Sequence, residues 1–307
     1  GETARILWTL YVGLTLANAI LLYFGGLTPF DAICHAMTTV ATGGFSTHDA
    51  SFGYWDSGYV HLVTTVFMLL GGMSFAVLHR ALTQGVQWGE HPELRLYLGI
   101  FGLAAVVLAV DLRFSQAEGY DTAAAAIEHG VFQAASILTS SGFSTRHFDL
   151  WPPLSQATLL ALFFVGGMAG STSGGVKVIR VLIMVRLAFS QFFGLVHPHG
   201  VGAIKLAGRA VDASIVLSVL GFIAMWMLLL LAGTAALSYL GSDVFTSFSA
   251  AAVTLGNVGP GLAGVGPSHT YAPFPPAAKL VMCGLMLLGR LEIYTALVIL
   301  TPSFWRR

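Results

Sequence analysis

Three short stretches of this chain carry the residue types with which a protein can strip water from a cation and hold the bare ion. They read Thr-Val-Ala-Thr-Gly-Gly-Phe-Ser-Thr (39–47), Ile-Leu-Thr-Ser-Ser-Gly-Phe-Ser-Thr (137–145) and Leu-Gly-Asn-Val-Gly-Pro-Gly (255–261). A dehydrated cation needs replacement oxygens, and a ring of backbone carbonyls supplies them without burying a fixed charge. Glycine permits the left-handed or close-approach backbone that turns carbonyls inward, and threonine and serine add hydroxyl oxygens. The candidate ion-lining residues are therefore Ala41, Thr42, Gly43 and Gly44; Thr139, Ser140, Ser141 and Gly142; and Gly256, Asn257, Val258 and Gly259. Gly44, Gly142 and Gly259 fall at matching positions, 98 and then 117 residues apart. For one such loop, a helix C-cap ended by glycine is an equally good explanation. Three loops in register favour an ion path.

Other residues could act on that path. The segment Gly166-Gly167-Met168-Ala169-Gly170-Ser171-Thr172-Ser173-Gly174-Gly175 has five glycines in ten residues and interrupts an apolar helix. It is expected to form a flexible gate below the second loop, or else a kink for close helix packing. It lacks the Gly-Lys-Ser/Thr run of a phosphate-binding loop, because Lys177 follows Val176. Arg290 lies within an apolar run, where a charge must face water or a partner. Glu292, two residues on, is on a different helical face. An aqueous pore and an ion pair with another helix both remain open for Arg290. Lys177 and Arg180 share a face and either meet the pore or snorkel to the cytoplasm. Glu128 and His129 are expected to make helix-to-helix hydrogen bonds. The pairs His91/Glu93 and His197/His199 fall in polar loops and read as solvated.

These stretches must be held by apolar elements. Hydrophobic residues make up 56% of the 307 and charged residues only 9%, against about 25% in soluble domains. Mean hydropathy is +0.79. The predicted class is an all-α polytopic membrane protein. Net charge is zero, so there is no basic face for nucleic acid, and two isolated cysteines make neither a disulfide framework nor a zinc site. Each loop follows a short apolar run (Phe30–Val40, Ala123–Ser136, and one from Asp243), the first about eleven residues against the ~20 needed to span. Such hairpins re-enter the membrane, which is tolerated only where backbone is buried in protein or lines water. Predicted spans are Ile6–Phe24, Val60–Leu78, Leu96–Leu112, an interrupted Leu154–Phe189, Ala213–Leu240 and Ala277–Leu300. The internal repeat divides a single transmembrane domain, 1–307, into units at 1–80, 94–190 and 210–301, arranged pseudo-symmetrically around a pore. Arg5, Arg80, Arg95, Arg186, Lys205, Arg209, Arg306 and Arg307 fall on one side and only Arg113, Arg146 and Lys279 on the loop side. By the positive-inside rule the loops dip in from outside.

The motifs at 41–51, 139–145, 166–180, 257–261 and Leu-Gly-Arg-Leu-Glu (288–292) resemble the TrkH-type membrane subunit of bacterial Trk/Ktr/HKT potassium transporters across essentially the whole chain. That resemblance implies four helix–pore loop–helix repeats around one pore, with Gly44, Gly142 and Gly259 as the filter glycines of repeats two, three and four. Repeat one is expected to precede Gly1, where the chain starts without a methionine. The resemblance also implies K+ as substrate, no other cofactor, no enzymatic activity and an inner-membrane homodimer with a cytoplasmic nucleotide-binding regulatory subunit. Gly166 to Gly175 corresponds to the gating loop and Arg290 to the basic residue of the final helix. A sodium-conducting relative and a non-conducting structural membrane subunit are the alternatives.

Overall fold

The computed structural model describes residues 2–85, 89–115, 119–196, 205–291, 293–299 and 302–305. His197, His199, Glu292, Arg306 and Arg307 lie outside the described residues. Three long helices, α1 (Glu2–Phe24), α5 (Pro92–Phe114) and α9 (Ala213–Tyr239), are long and apolar enough to cross a membrane. They present Leu16, Leu103 and Leu217 to the outside, which suits hydrocarbon rather than water. The protein is a helical membrane protein, and among the described residues the only strands are the two-residue β1 (Lys205–Leu206) and β2 (Arg209–Ala210), paired as a hairpin.

Each long helix packs against a short one that follows it: α2 (Pro29–Val40), α6 (Ala123–Leu138) and α10 (Val244–Leu255). Their 12, 16 and 12 residues rise about 18–24 Å, less than the ~30 Å hydrocarbon core. All three start alike. A side-chain oxygen of Thr28, Thr122 or Asp243 accepts the backbone N–H three residues on, at 3.1, 3.2 and 2.9 Å, capping the helix. These short helices are buried at the centre, with Ala36, Ala134 and Ala251 fully enclosed.

The second helix of every unit is broken, which in the first and last units departs from the uninterrupted spans expected at Val60–Leu78 and Ala277–Leu300. The first divides into α3 (Gly58–Gly71) and α4 (Phe75–Gln84), bent by 105°. Next come α7 (Pro153–Phe163) and α8 (Val178–Val196), separated by the glycine-rich segment as expected. The last divides into α11 (Pro276–Arg290) and α12 (Ile293–Ile299), so Arg290 ends a helix instead of sitting within one. The cause is local. At the first break Gly71 and Gly72 leave carbonyls without helical partners, and the glycine-rich segment fills them: Met168 N–H donates to Gly72 O at 2.9 Å. A Cβ on Gly289 would overlap the carbonyl of Leu255, so glycine there lets α11 press against the end of α10. The repeated Gly-Gly-Met at 71–73 and 166–168 is the sequence signal for the first break.

Candidate ion site

Each short helix ends in the same turn. The N–H of Gly43, Ser141 and Val258 donates to the carbonyl five residues back (Thr38, Ser136 and Val253) at 2.7, 2.9 and 2.8 Å. This six-to-one closure is a Schellman-type C-cap. It places Thr42, Ser140 and Asn257 at φ of 50°, 51° and 55°, and two residues later Gly44, Gly142 and Gly259 at 69°, 82° and 101°. The helix-cap explanation and the ion-path explanation thus describe the same turns. What a cap alone does not require is convergence. A Cβ on Gly44 would overlap the carbonyl oxygen of Ser141, and one on Gly142 would overlap that of Val258. A Cβ on Gly259 would meet nothing within 4 Å among the described residues. The first loop thus abuts the second and the second abuts the third, in sequence order.

The loops surround a cavity of about 480 Å³ lined by Thr42, Gly43, Gly44, Ser141, Gly142, Asn257, Val258 and Gly259, with Met286 and Arg290 at its wall. The other four predicted lining residues stand behind it. Ala41 caps α2. Thr139 is fully buried and shares a 2.8 Å hydrogen bond with Ser141 Oγ. Ser140 Oγ accepts the Gly174 N–H at 2.7 Å. Gly256 caps α10, where its Cβ position approaches Phe163 O at 3.3 Å.

Outside the cavity, each loop is clamped to its own helix at equivalent positions. Thr47 Oγ1 donates to Asp31 Oδ1 at 2.6 Å, His129 Nδ1 meets Thr145 Oγ1 at 2.9 Å, and Gly264 N–H donates to Thr246 Oγ1 at 3.2 Å. Hydroxyls of Thr47 and Thr28, both bonded to it, hold the Asp31 carboxyl below the usual carboxylate range. His61, Glu128 and His129 bring possible metal-ligand atoms within 4.8 Å of one another. Their nitrogens are already occupied. His61 Nδ1 bonds Glu128 at 2.5 Å and its Nε2 bonds Phe52 O at 3.0 Å, while His129 Nε2 accepts from Arg146 Nε at 3.4 Å. With a guanidinium alongside, this cluster reads as a lock between α3 and α6, not a metal centre.

Below the loops lies a second cavity of about 320 Å³, lined by Gly170, Ser171, Thr172, Ser173, Gly174 and Gly175 with Lys177, Arg180 and Arg290. Gly166 and Gly167 are the predicted gate residues that do not line it. Arg290 is exposed to both cavities, and among the described residues no carboxylate lies within ion-pair distance of it. Arg180 instead stacks on the Phe222 ring at 3.8 Å. The glycine-rich segment is pinned from several sides. Thr172 Oγ1 donates to Val40 O at 2.8 Å and lies 3.1 Å from Gly71 O, and Lys177 Nζ donates to Ser173 O. Glu93, expected to be solvated, instead accepts the Ala169 N–H at 2.7 Å from the first turn of α5. In the sequence its place beside Pro92 marks only a helix start.

The family profile named TrkH and described as a cation transport protein matches residues 1–89 and 103–306. The chain is 40% identical over 309 residues to the Trk system potassium uptake protein TrkH of Escherichia coli K12, covering 99% of this chain and 63% of that protein. It is 37% identical over 311 residues to TrkI of Halomonas elongata, covering 100% of this chain and 62% of the relative. The crystal structure of the potassium transporter TrkH from Vibrio parahaemolyticus superposes with a TM-score of 0.92 at 40% identity, over 99% of this chain and 65% of that one. The chain therefore spans less than two thirds of the length of these relatives. With a helical membrane fold and a profile matching nearly its whole length, this chain belongs to the TrkH family of cation transport proteins.

Proposed function

We propose that this chain forms part of a K+ uptake path, in which Gly44, Gly142 and Gly259 anchor three loops of a backbone-carbonyl selectivity filter. The supporting observation is the abutment of the three glycine turns around one cavity. The short helices α2, α6 and α10 all end at these turns, so their partial negative charge favours a cation there. The name its relatives carry, potassium uptake protein, points to K+ as the ion.

In this proposal the glycine-rich segment is the gate. Its ties to Val40 O, Gly71 O and Ser140 Oγ hold it directly beneath the first two loops. Arg290 adds a positive barrier between the cavities. The loops face outward across the inner membrane, following the Lys and Arg distribution. The units 1–80, 94–190 and 210–301 act as the repeats of one pore. A second copy of the chain and a cytoplasmic nucleotide-binding regulator complete the assembly, as expected for a member of a Trk system.

The test is ion uptake by the full-length protein in cells lacking their own potassium uptake systems. Uptake of K+ that a tenfold excess of Na+ leaves largely intact is the expected result (a roughly tenfold preference corresponds to about 1.4 kcal/mol). Uptake of Na+ with little K+ would assign a sodium-conducting relative of the same fold. Correctly inserted protein with no cation flux would assign a non-conducting subunit.

A further inference from the structure

The inner clamps of the three loops are not alike. In the first loop Thr38 Oγ1 donates to Phe45 O at 2.9 Å, and in the second Ser136 Oγ donates to Phe143 O at 2.6 Å. These are equivalent positions: a hydroxyl on the short helix holds the carbonyl one residue past the glycine. The third loop has Val253 and Pro260 at those places, so the hydroxyl is missing. Its clamp comes from elsewhere. The Tyr271 hydroxyl donates to the carbonyl oxygen of Gly259 itself at 2.7 Å.

Tyr271 is well placed to hold that oxygen still. Its ring packs against Phe274 with centroids 5.8 Å apart, and Phe274 N–H donates to Tyr271 O at 3.3 Å. Lys279 Nζ donates to the next carbonyl, Ala272 O, at 2.9 Å, tying the segment to the start of α11. Burial pushes the phenol pKa up, so the group remains a donor. Among the described residues, no hydrogen bond engages the carbonyl oxygens of Gly44 or Gly142. Of the three turns, the third alone has its glycine oxygen fixed by a side chain.

We propose that Tyr271 is a positioning residue of the ion path, which orients the Gly259 carbonyl and thereby contributes to discrimination between K+ and Na+. This rests on the filter assignment proposed above. A carbonyl oxygen free to swing can close around the smaller ion, whereas one that is fixed keeps the coordination shell at its built size. The third loop needs this restraint most, because Val253 cannot supply it and, among the described residues, no atom lies within 4 Å of the Cβ position of Gly259.

Cation uptake by the full-length protein, measured with Rb+ as tracer against graded Na+, tests this with two variants. Tyr271→Phe keeps the ring and removes the hydroxyl. Phe274→Leu loosens the ring pair and keeps the hydroxyl. The expected result is a fall in K+ over Na+ preference of about threefold or more for Tyr271→Phe at equal membrane abundance, the loss of one modest hydrogen bond. Phe274→Leu, which keeps the hydroxyl, shifts the preference less than Tyr271→Phe does. Parental preference in Tyr271→Phe overturns the proposal, as does an equal shift in Phe274→Leu, which would assign the effect to ring packing. Absence of any flux in the parent overturns the filter assignment, and this proposal with it.

Discussion

Gly142→Ala reduces K+ uptake by more than about tenfold at unchanged membrane abundance, and Gly44→Ala does the same. Two costs combine. An L-residue held at φ of 82° or 69° costs about 1–2 kcal/mol relative to glycine. The added methyl group must also displace the carbonyl of Val258 or of Ser141, both backbone atoms that cannot move aside without shifting the neighbouring loop. The displaced carbonyl is itself among the proposed ion ligands, so one methyl group disturbs two loops. Gly259→Ala has the first cost without the second, because open space surrounds its Cβ position. Its loss of uptake is smaller than that of the other two. Tracer uptake normalised to inserted protein checks the order. Equal tolerance of all three substitutions would separate the glycines from the ion path.

Thr172→Val raises basal K+ flux about fivefold or more. In the structure its hydroxyl holds the glycine-rich segment to the ends of α2 and α3, through Val40 O and Gly71 O. Removing the donor leaves those carbonyls short of a partner while the segment stays in place, at about 1–3 kcal/mol. When the segment moves away, water can reach them, so the penalty falls on the closed arrangement alone. One kcal/mol already changes a two-state ratio about fivefold. Flux through reconstituted full-length protein without regulatory ligand is the measurement. Unchanged or reduced flux would mean that the segment does not close the path.

Much of this arrangement is legible in the residues. The Gly-Phe-Ser-Thr tetrapeptide at 44–47 and again at 142–145 marks two loops, because each follows an apolar run too short to span. The third loop is readable only by position, since Pro260 replaces the phenylalanine. The breaks at Gly72 and after Arg290 escaped because each is short and lies inside a longer run that is apolar on average, so hydropathy sees one span. The Gly-Gly-Met repeat hints at the first, and the partner carbonyls and neighbouring helix ends show both. Glu93 and Tyr271 escaped for a related reason. Each acts on a segment distant in sequence, Glu93 on Ala169 and Tyr271 on Gly259, and spacing along the chain carries no trace of either contact.

The clamps explain how three loops with different sequences adopt one shape. Asp31, His129 and Thr246 occupy the same place on their helices and bind the outer limb of their loops by three different chemistries. Backbone geometry is shared, whereas the side chains that enforce it are not. This allows individual loops to vary without losing the ring.

The most direct measurement is anomalous diffraction from crystals of the full-length protein soaked in Rb+, which stands in for K+. The account predicts an anomalous peak on the axis bounded by Gly44, Gly142 and Gly259, close to their carbonyl oxygens and diminished in the Gly142→Ala variant. Peaks confined to other surfaces, with the space between the three turns empty at saturating Rb+, would contradict it.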